Sequence, residues 1–147
     1  MDLFDYYARN GYDEHMTNDL EYAGPALMWD AFESLRRSSQ GANVSNSGFL
    51  NTVDASHKVR LAELGCGTGL VGNLFRQNGF SGSLYGCDLS PVMVDTAAQL
   101  QFNSSQVYDA VYPLDCVDFL RSFQGLVTQK FLFRFFSISF FSEHRYS

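Results

Sequence analysis

The segment Glu63-Leu64-Gly65-Cys66-Gly67-Thr68-Gly69 constrains this chain more than any other. It follows a short apolar run, KVRLAEL from Lys58 to Leu64, and precedes LVGNLFRQNG, Leu70 to Gly79, whose spacing predicts a helix. A strand therefore reverses into a helix across a turn with three alternating glycines. Glycine accepts left-handed backbone at little cost and lets a ligand come close to the main chain. Gly65 and Gly67 would admit that ligand, and Gly69 would open the helix, whose free amides favour an electronegative group. Glu63 lies at the carboxyl end of the strand, where it would face the crevice and hold a ligand ammonium, directly or through water.

The pattern then repeats. SLYGCDL, Ser83 to Leu89, is a second strand candidate; PVMVDTAAQLQ, Pro91 to Gln101, starts a helix on a proline suited to its first turn; and VYDAVYPLD, Val107 to Asp115, is a third strand. Ser90 is the natural N-cap ahead of Pro91. The order βαβαβ requires crossover connections and hence a parallel sheet with helices on its faces. Asp88 ends the second strand nineteen residues after Gly69. Doubly wound folds place there a carboxylate that accepts hydrogen bonds from ribose hydroxyls. Gly67 to Gly72 also satisfies GxGxxG, so an NAD-dependent oxidoreductase is a competing reading.

Upstream, Asn18 to Leu35 has helical spacing, with Asn18 or Asp19 as cap and a break at Gly24-Pro25. Ser38 to Ser56 is rich in Ser, Asn and Gly and reads as a surface loop. Four regions result: a helical lead-in at 1–37, a flexible loop at 38–56, a ligand-binding half-domain at 57–123 and an aromatic tail at 124–147.

Composition narrows the partners. The formal net charge is −6, which disfavours a broad grip on nucleic acid or an anionic membrane surface. The eleven residues from Phe131 to Phe141, FLFRFFSISFF, are too few to span a bilayer and read as a strand prone to aggregation. No export signal is visible at the amino terminus, MDLFDYYARNGYDEH, so a cytoplasmic location is expected. Cys66, Cys87 and Cys116 have no CxxC spacing and are read as reduced, mostly buried thiols. His15, His57 and His144 show no metal-ligand spacing, and no metal is expected. Tyr12, Tyr22 and Trp29 are expected to be packing aromatics.

LAELGCGTGLVG (Leu61 to Gly72) followed by YGCDLSPVMVDTA (Tyr85 to Ala97) closely resembles the first two motifs of class I S-adenosylmethionine (SAM)-dependent methyltransferases. The resemblance implies a Rossmann-like fold of three αβα layers around a mostly parallel sheet, with SAM as cofactor. It implies that Glu63, Gly65, Gly67 and Gly69, with Cys66 in the same turn, surround the methionine part. Asp88 would then bind the ribose, and Leu89 would lie beside the adenine. VYPLDCVDFL, Val111 to Leu120, resembles the third motif, in which Asp115 approaches the adenine amino group and Cys116 offers a backbone amide. For Asp115, capping of the next helix is an equal alternative. The lead-in from Phe4 to Met28 is similar to that of a methyltransferase subgroup in which pairs such as Tyr12-Asp13 lie near the cofactor pocket.

The resemblance implies methyl transfer from SAM to an acceptor it does not identify and names no catalytic side chain; the net charge of −6 favours a small molecule or a protein over nucleic acid. A non-catalytic SAM-binding fragment or pseudoenzyme is the alternative, because the family's fourth strand is not recognisable. Family-like sequence is expected to stop near Gly125, leaving the fold incomplete at its C-terminus and pointing to a truncated or misread gene model. Such a chain would expose a sheet edge and need a partner chain to cover it.

Overall fold

The computed structural model describes residues 11–14, 16, 22–40 and 59–123. A short helical turn, α1 (Tyr12–Glu14), precedes α2 (Gly24–Gln40); then come β1 (Arg60–Leu64), α3 (Leu70–Gln77), β2 (Ser83–Cys87) and α4 (Pro91–Gln99). The chain continues through β3 (Gln101–Phe102), β4 (Ser105–Gln106), β5 (Ala110–Tyr112) and α5 (Cys116–Phe123). The three long-range strands form one parallel sheet in the order β1-β2-β5. This is the Rossmann-like arrangement expected from the alternating pattern.

Register decides which side chains face which layer. Leu61 sits opposite Leu84 and Glu63 opposite Gly86, while Ala62 pairs with Tyr85 and Leu64 with Cys87. Side chains alternate along a strand. Leu61 and Leu84 therefore join Met28 of α2, Phe75 of α3 and Ala97 of α4 in one core, with Phe80, Val107 and Tyr108. Ala62, Leu64 and Cys87 join Phe119 of α5 on the opposite face. The first core is aromatic: Trp29, Phe32, Phe75 and Phe80 lie with ring centroids 5.2–5.9 Å apart, several of them edge to face. Trp29 thus packs, as expected of it.

Arg76 ties α3 to the rest of this layer. Its guanidinium donates to the carbonyls of Val107 (2.8 Å), Phe80 (3.0 Å) and Gly82 (2.7 Å), and it lies 5.5 Å from the Phe80 ring centroid. Three otherwise unpaired loop carbonyls are satisfied by one planar donor.

Several boundaries differ from the sequence-based expectation. Of the helix expected over Asn18 to Leu35, residues 18–21 and with them the Asn18 or Asp19 cap lie outside the described residues; the described helix starts at Gly24, with Pro25 in its first turn. Proline lacks the N–H that a first turn leaves unpaired anyway, so it begins a helix more easily than it continues one. The same helix runs on to Gln40 and takes residues 38–40 from the expected loop. Residues 41–56 of that loop, the tail at 124–147, His57, His144 and the side chains of Tyr12 and His15 lie outside the described residues. The third strand is only Ala110–Tyr112, shorter than Val107 to Asp115. At Asp109 the main-chain amide still donates to the Leu84 carbonyl (2.8 Å), but it is the Oδ2 of Asp109, and not a backbone carbonyl, that accepts from the Leu84 amide (2.8 Å). An unexpected antiparallel pair, β3 with β4, precedes it. Asn103 and Ser104, at φ 50° and 63°, make the tight reversal between those strands.

No helix among the described residues is long and apolar enough to cross a membrane.

Candidate functional site

The site is built where β1 and β2 end side by side. The carbonyl of Cys87 accepts from the amides of both Gly65 (2.8 Å) and Cys66 (2.9 Å), which pins the turn onto the end of β2. The Gly69 amide then donates to the Cys66 carbonyl (2.9 Å), and the Asn73 amide to the Gly69 carbonyl as α3 begins. Gly65, Gly67 and Gly69 all have positive φ (69°, 53° and 97°), a backbone that side chains with a Cβ resist. The requirement for glycine read from the sequence is therefore met by the backbone itself.

Asp88 fixes the turn to its neighbour. Its Oδ2 accepts from the Gly67 amide and its Oδ1 from the Ser90 amide, both at 2.9 Å. Ser90 in turn caps α4, its Oγ accepting from the Met93 amide, as the sequence indicated. A carboxylate has about four acceptor positions, so the two oxygens of Asp88 retain capacity for a ligand's hydroxyls. Leu89 beside it is 75% exposed. Around Gly67 the crevice is open: a Cβ built there meets nothing within 4 Å.

Glu63 is placed differently from an open crevice carboxylate. It is 7% exposed, and its Oε2 accepts from the Tyr108 hydroxyl at 2.7 Å. The backbone amide of Gly72, in the first turn of α3, also donates to it. Burial pushes its carboxyl up to about 8, against the effect of those two hydrogen bonds. Tyr22 lies near enough to feel the same charge; burial first and Glu63 second raise its hydroxyl.

Tyr108 was not anticipated. Its ring fills the space that three glycines leave: a Cβ would meet it at 3.0 Å from Gly69, 2.4 Å from Gly72 and 3.3 Å from Gly86. Thr68 was also missed; its hydroxyl donates to Asp13, bringing the lead-in onto the turn. That contact supports the expectation that the Tyr12-Asp13 pair lies near the pocket, for its second member. In the sequence the only signal for Tyr108 is an apolar aromatic in front of Asp109, which reads as core.

The third-motif residues open α5, where Cys116 packs against the cluster that contains Cys87 at the end of β2. The Oδ1 of Asp115 accepts from the amides of Val117 (2.8 Å) and Asp118 (2.9 Å) and caps α5, and these bonds hold its carboxyl below the usual range. Of the two readings left open for Asp115, the cap is the one the geometry displays. Cys116 is half-buried at the start of α5; Cys66 and Cys87 are buried, and all three are free. Burial drives the thiols of Cys66 and Cys87 far up, so neither is a thiolate nucleophile.

Residues 62–133 match a family model described as a methyltransferase domain. With the glycine turn, the carboxylate closing β2 and the parallel sheet, this match supports a class I SAM-dependent methyltransferase family for the segment. The match runs to residue 133, past Gly125, where family-like sequence was expected to stop. Among solved structures, the chain is similar to magnesium protoporphyrin IX methyltransferase from Synechocystis PCC 6803 with bound SAM. Identity is 19% over 77% of this chain and 52% of that one, with a TM-score of 0.38. It is also similar to a TehB-like SAM-dependent methyltransferase from Corynebacterium glutamicum, 24% identical over 51% of this chain and 40% of that one, TM-score 0.26. The chain thus spans about half the length of the first and less of the second. No curated protein matches it.

Proposed function

We propose that the chain holds SAM in the crevice between the glycine turn and the end of β2, and that the domain transfers its methyl group to a small-molecule or protein acceptor. The observation that carries this reading is Asp88 bridging the Gly67 and Ser90 amides beside a Gly67 that faces open space. The residues present suit such a ligand. Gly65 and Gly67, with Cys66 between them, would let its methionine part lie along the main chain. The Glu63 carboxyl would accept a hydrogen bond from its ammonium, Asp88 would accept from its ribose hydroxyls, and Leu89 would give its adenine an apolar surface. Asp115 and Cys116 would bound the adenine from the start of α5.

SAM, when bound, supplies an activated methyl on a sulfonium leaving group. The chain's own part is to orient that group and exclude water, and correct placement of donor and acceptor accounts for much of the rate in transfers of this kind. The net charge of −6 favours an acceptor other than nucleic acid.

A second reading is that the chain binds SAM without catalysis and acts through a partner chain. It is favoured by β1 being an edge strand among the described residues, a position that a partner's strand would cover. The test is saturable binding measured with SAM and with NADH in parallel. Binding of SAM alone supports the methyltransferase site, and binding of NADH alone overturns it in favour of the dinucleotide reading. Methyl transfer to any acceptor by the purified chain then separates enzyme from non-catalytic binder.

A further inference from the structure

Tyr108 packs against the inner side of the turn, in the buried core. It is 5% exposed, its hydroxyl is 2.7 Å from Glu63 Oε2, and its ring rests against Gly69, Gly72 and Gly86. The three glycines come from the turn, α3 and β2, so the ring is held by three elements at once. Such a side chain has no room to swing, and the carboxylate it binds is fixed with it.

We propose that Tyr108 is a positioning residue for the cofactor site: its hydroxyl, held by a ring locked against three glycines, sets where the Glu63 carboxylate points toward the ligand ammonium. This inference rests on the reading of the crevice as a SAM site. The hydroxyl is bound to Oε2. The groups facing Glu63 come from every side: the Gly72 amide from α3, Tyr108 from the approach to β5, Tyr22 from the segment before α2, Cys66 from the turn and Asp88 from the end of β2. Only the Gly72 amide and the Tyr108 hydroxyl favour the carboxylate; burial and the charge of Asp88 oppose it. Removing one of two favourable donors leaves Glu63 protonated to higher pH, and a protonated Glu63 offers no charge to an ammonium.

Tyr108→Phe tests this, because it keeps the ring that fills the glycine gap and removes only the hydroxyl. The first measurement uses the ligand-free chain with 13C-carboxyl glutamate, the Glu63 signal being assigned by its loss in Glu63→Gln. The second is SAM affinity by titration calorimetry from pH 6.5 to 9 in the wild type, Tyr108→Phe and Glu63→Gln, the last reporting titration of the ligand's own amine. The Glu63 transition is expected to move up by about one pH unit in Tyr108→Phe. SAM affinity at pH 7.5 is expected to fall about five-fold in that variant, with the pH curve displaced by the same amount. A wild type that binds SAM with the same pH curve as Tyr108→Phe overturns the role of Tyr108 and leaves the SAM site standing. A folded wild type that binds no SAM at any pH overturns the SAM site itself, and this inference with it.

Discussion

Gly67 and Gly72 lie five residues apart on one turn and helix, yet a methyl group added to each would meet opposite surroundings. At Gly67 it would enter open space; at Gly72 it would come within 2.4 Å of the Tyr108 hydroxyl and 2.5 Å of its ring. Gly67 leaves its backbone bare toward the crevice, and Gly72, with Gly69 and Gly86, makes room for a buried aromatic. A glycine-rich turn is therefore two devices joined end to end. One half opens outward, and the other is shaped for the protein's own interior.

The interior half gives the largest expected effect, through the carboxylate it encloses. In the folded chain Glu63 keeps its proton to about pH 8, against about 4.5 for an exposed glutamate. Between those values the folded state binds one proton more than the unfolded state, so stability is full at the acid end and falls as pH rises through the window. The loss is on the order of 5 kcal/mol across it. Glu63→Gln is expected to flatten that slope, read from urea midpoints between pH 5 and 9. An unchanged slope would show that the interior half does not enclose a strained carboxylate.

Gly72→Ala follows. Tyr108 is too buried to yield, so overpacking is expected to cost on the order of 3 kcal/mol in urea unfolding. A loss no greater than that of Gly67→Ala would break the comparison outright.

Asp88→Ala sits on the boundary between the halves. It strands the Gly67 and Ser90 amides and is expected to cost about 2 kcal/mol of stability by denaturant unfolding, with SAM affinity falling as well. If stability falls and affinity does not, the bridge belongs to the fold alone.

The division also explains what the sequence discloses. The open half is local: glycines at alternate positions, a strand before them, a helix after, and Asp88 at the next strand's end can all be read in one pass. Ser90 and Pro91 likewise announce the start of α4 through their own chemistry. The interior half is not local. Tyr108 reaches Glu63 across 45 residues, and only the placement of β5 beside β2 brings them together. Thr68 and Asp13 are 55 residues apart and equally silent. The hairpin of β3 and β4 was missed for a different reason: Asn103-Ser104 is a weaker turn signal than Asn-Gly. Glu63 was legible as a carboxylate at the right place, but its burial was not, because exposure depends on the neighbour laid over it.

Gly67→Ala carries the smallest effect on stability and the most direct test of the account. With open space around it, the only penalty in the fold is a left-handed backbone at φ 53°, about 1 kcal/mol. Titration of SAM into the 147-residue chain and into Gly67→Ala, with unfolding curves for both, separates ligand from fold. The account predicts saturable binding by the wild type and binding at least about tenfold weaker in a variant that remains folded. Equal affinity in the two chains, or no binding by a folded wild type, would contradict the assignment of this turn to the cofactor.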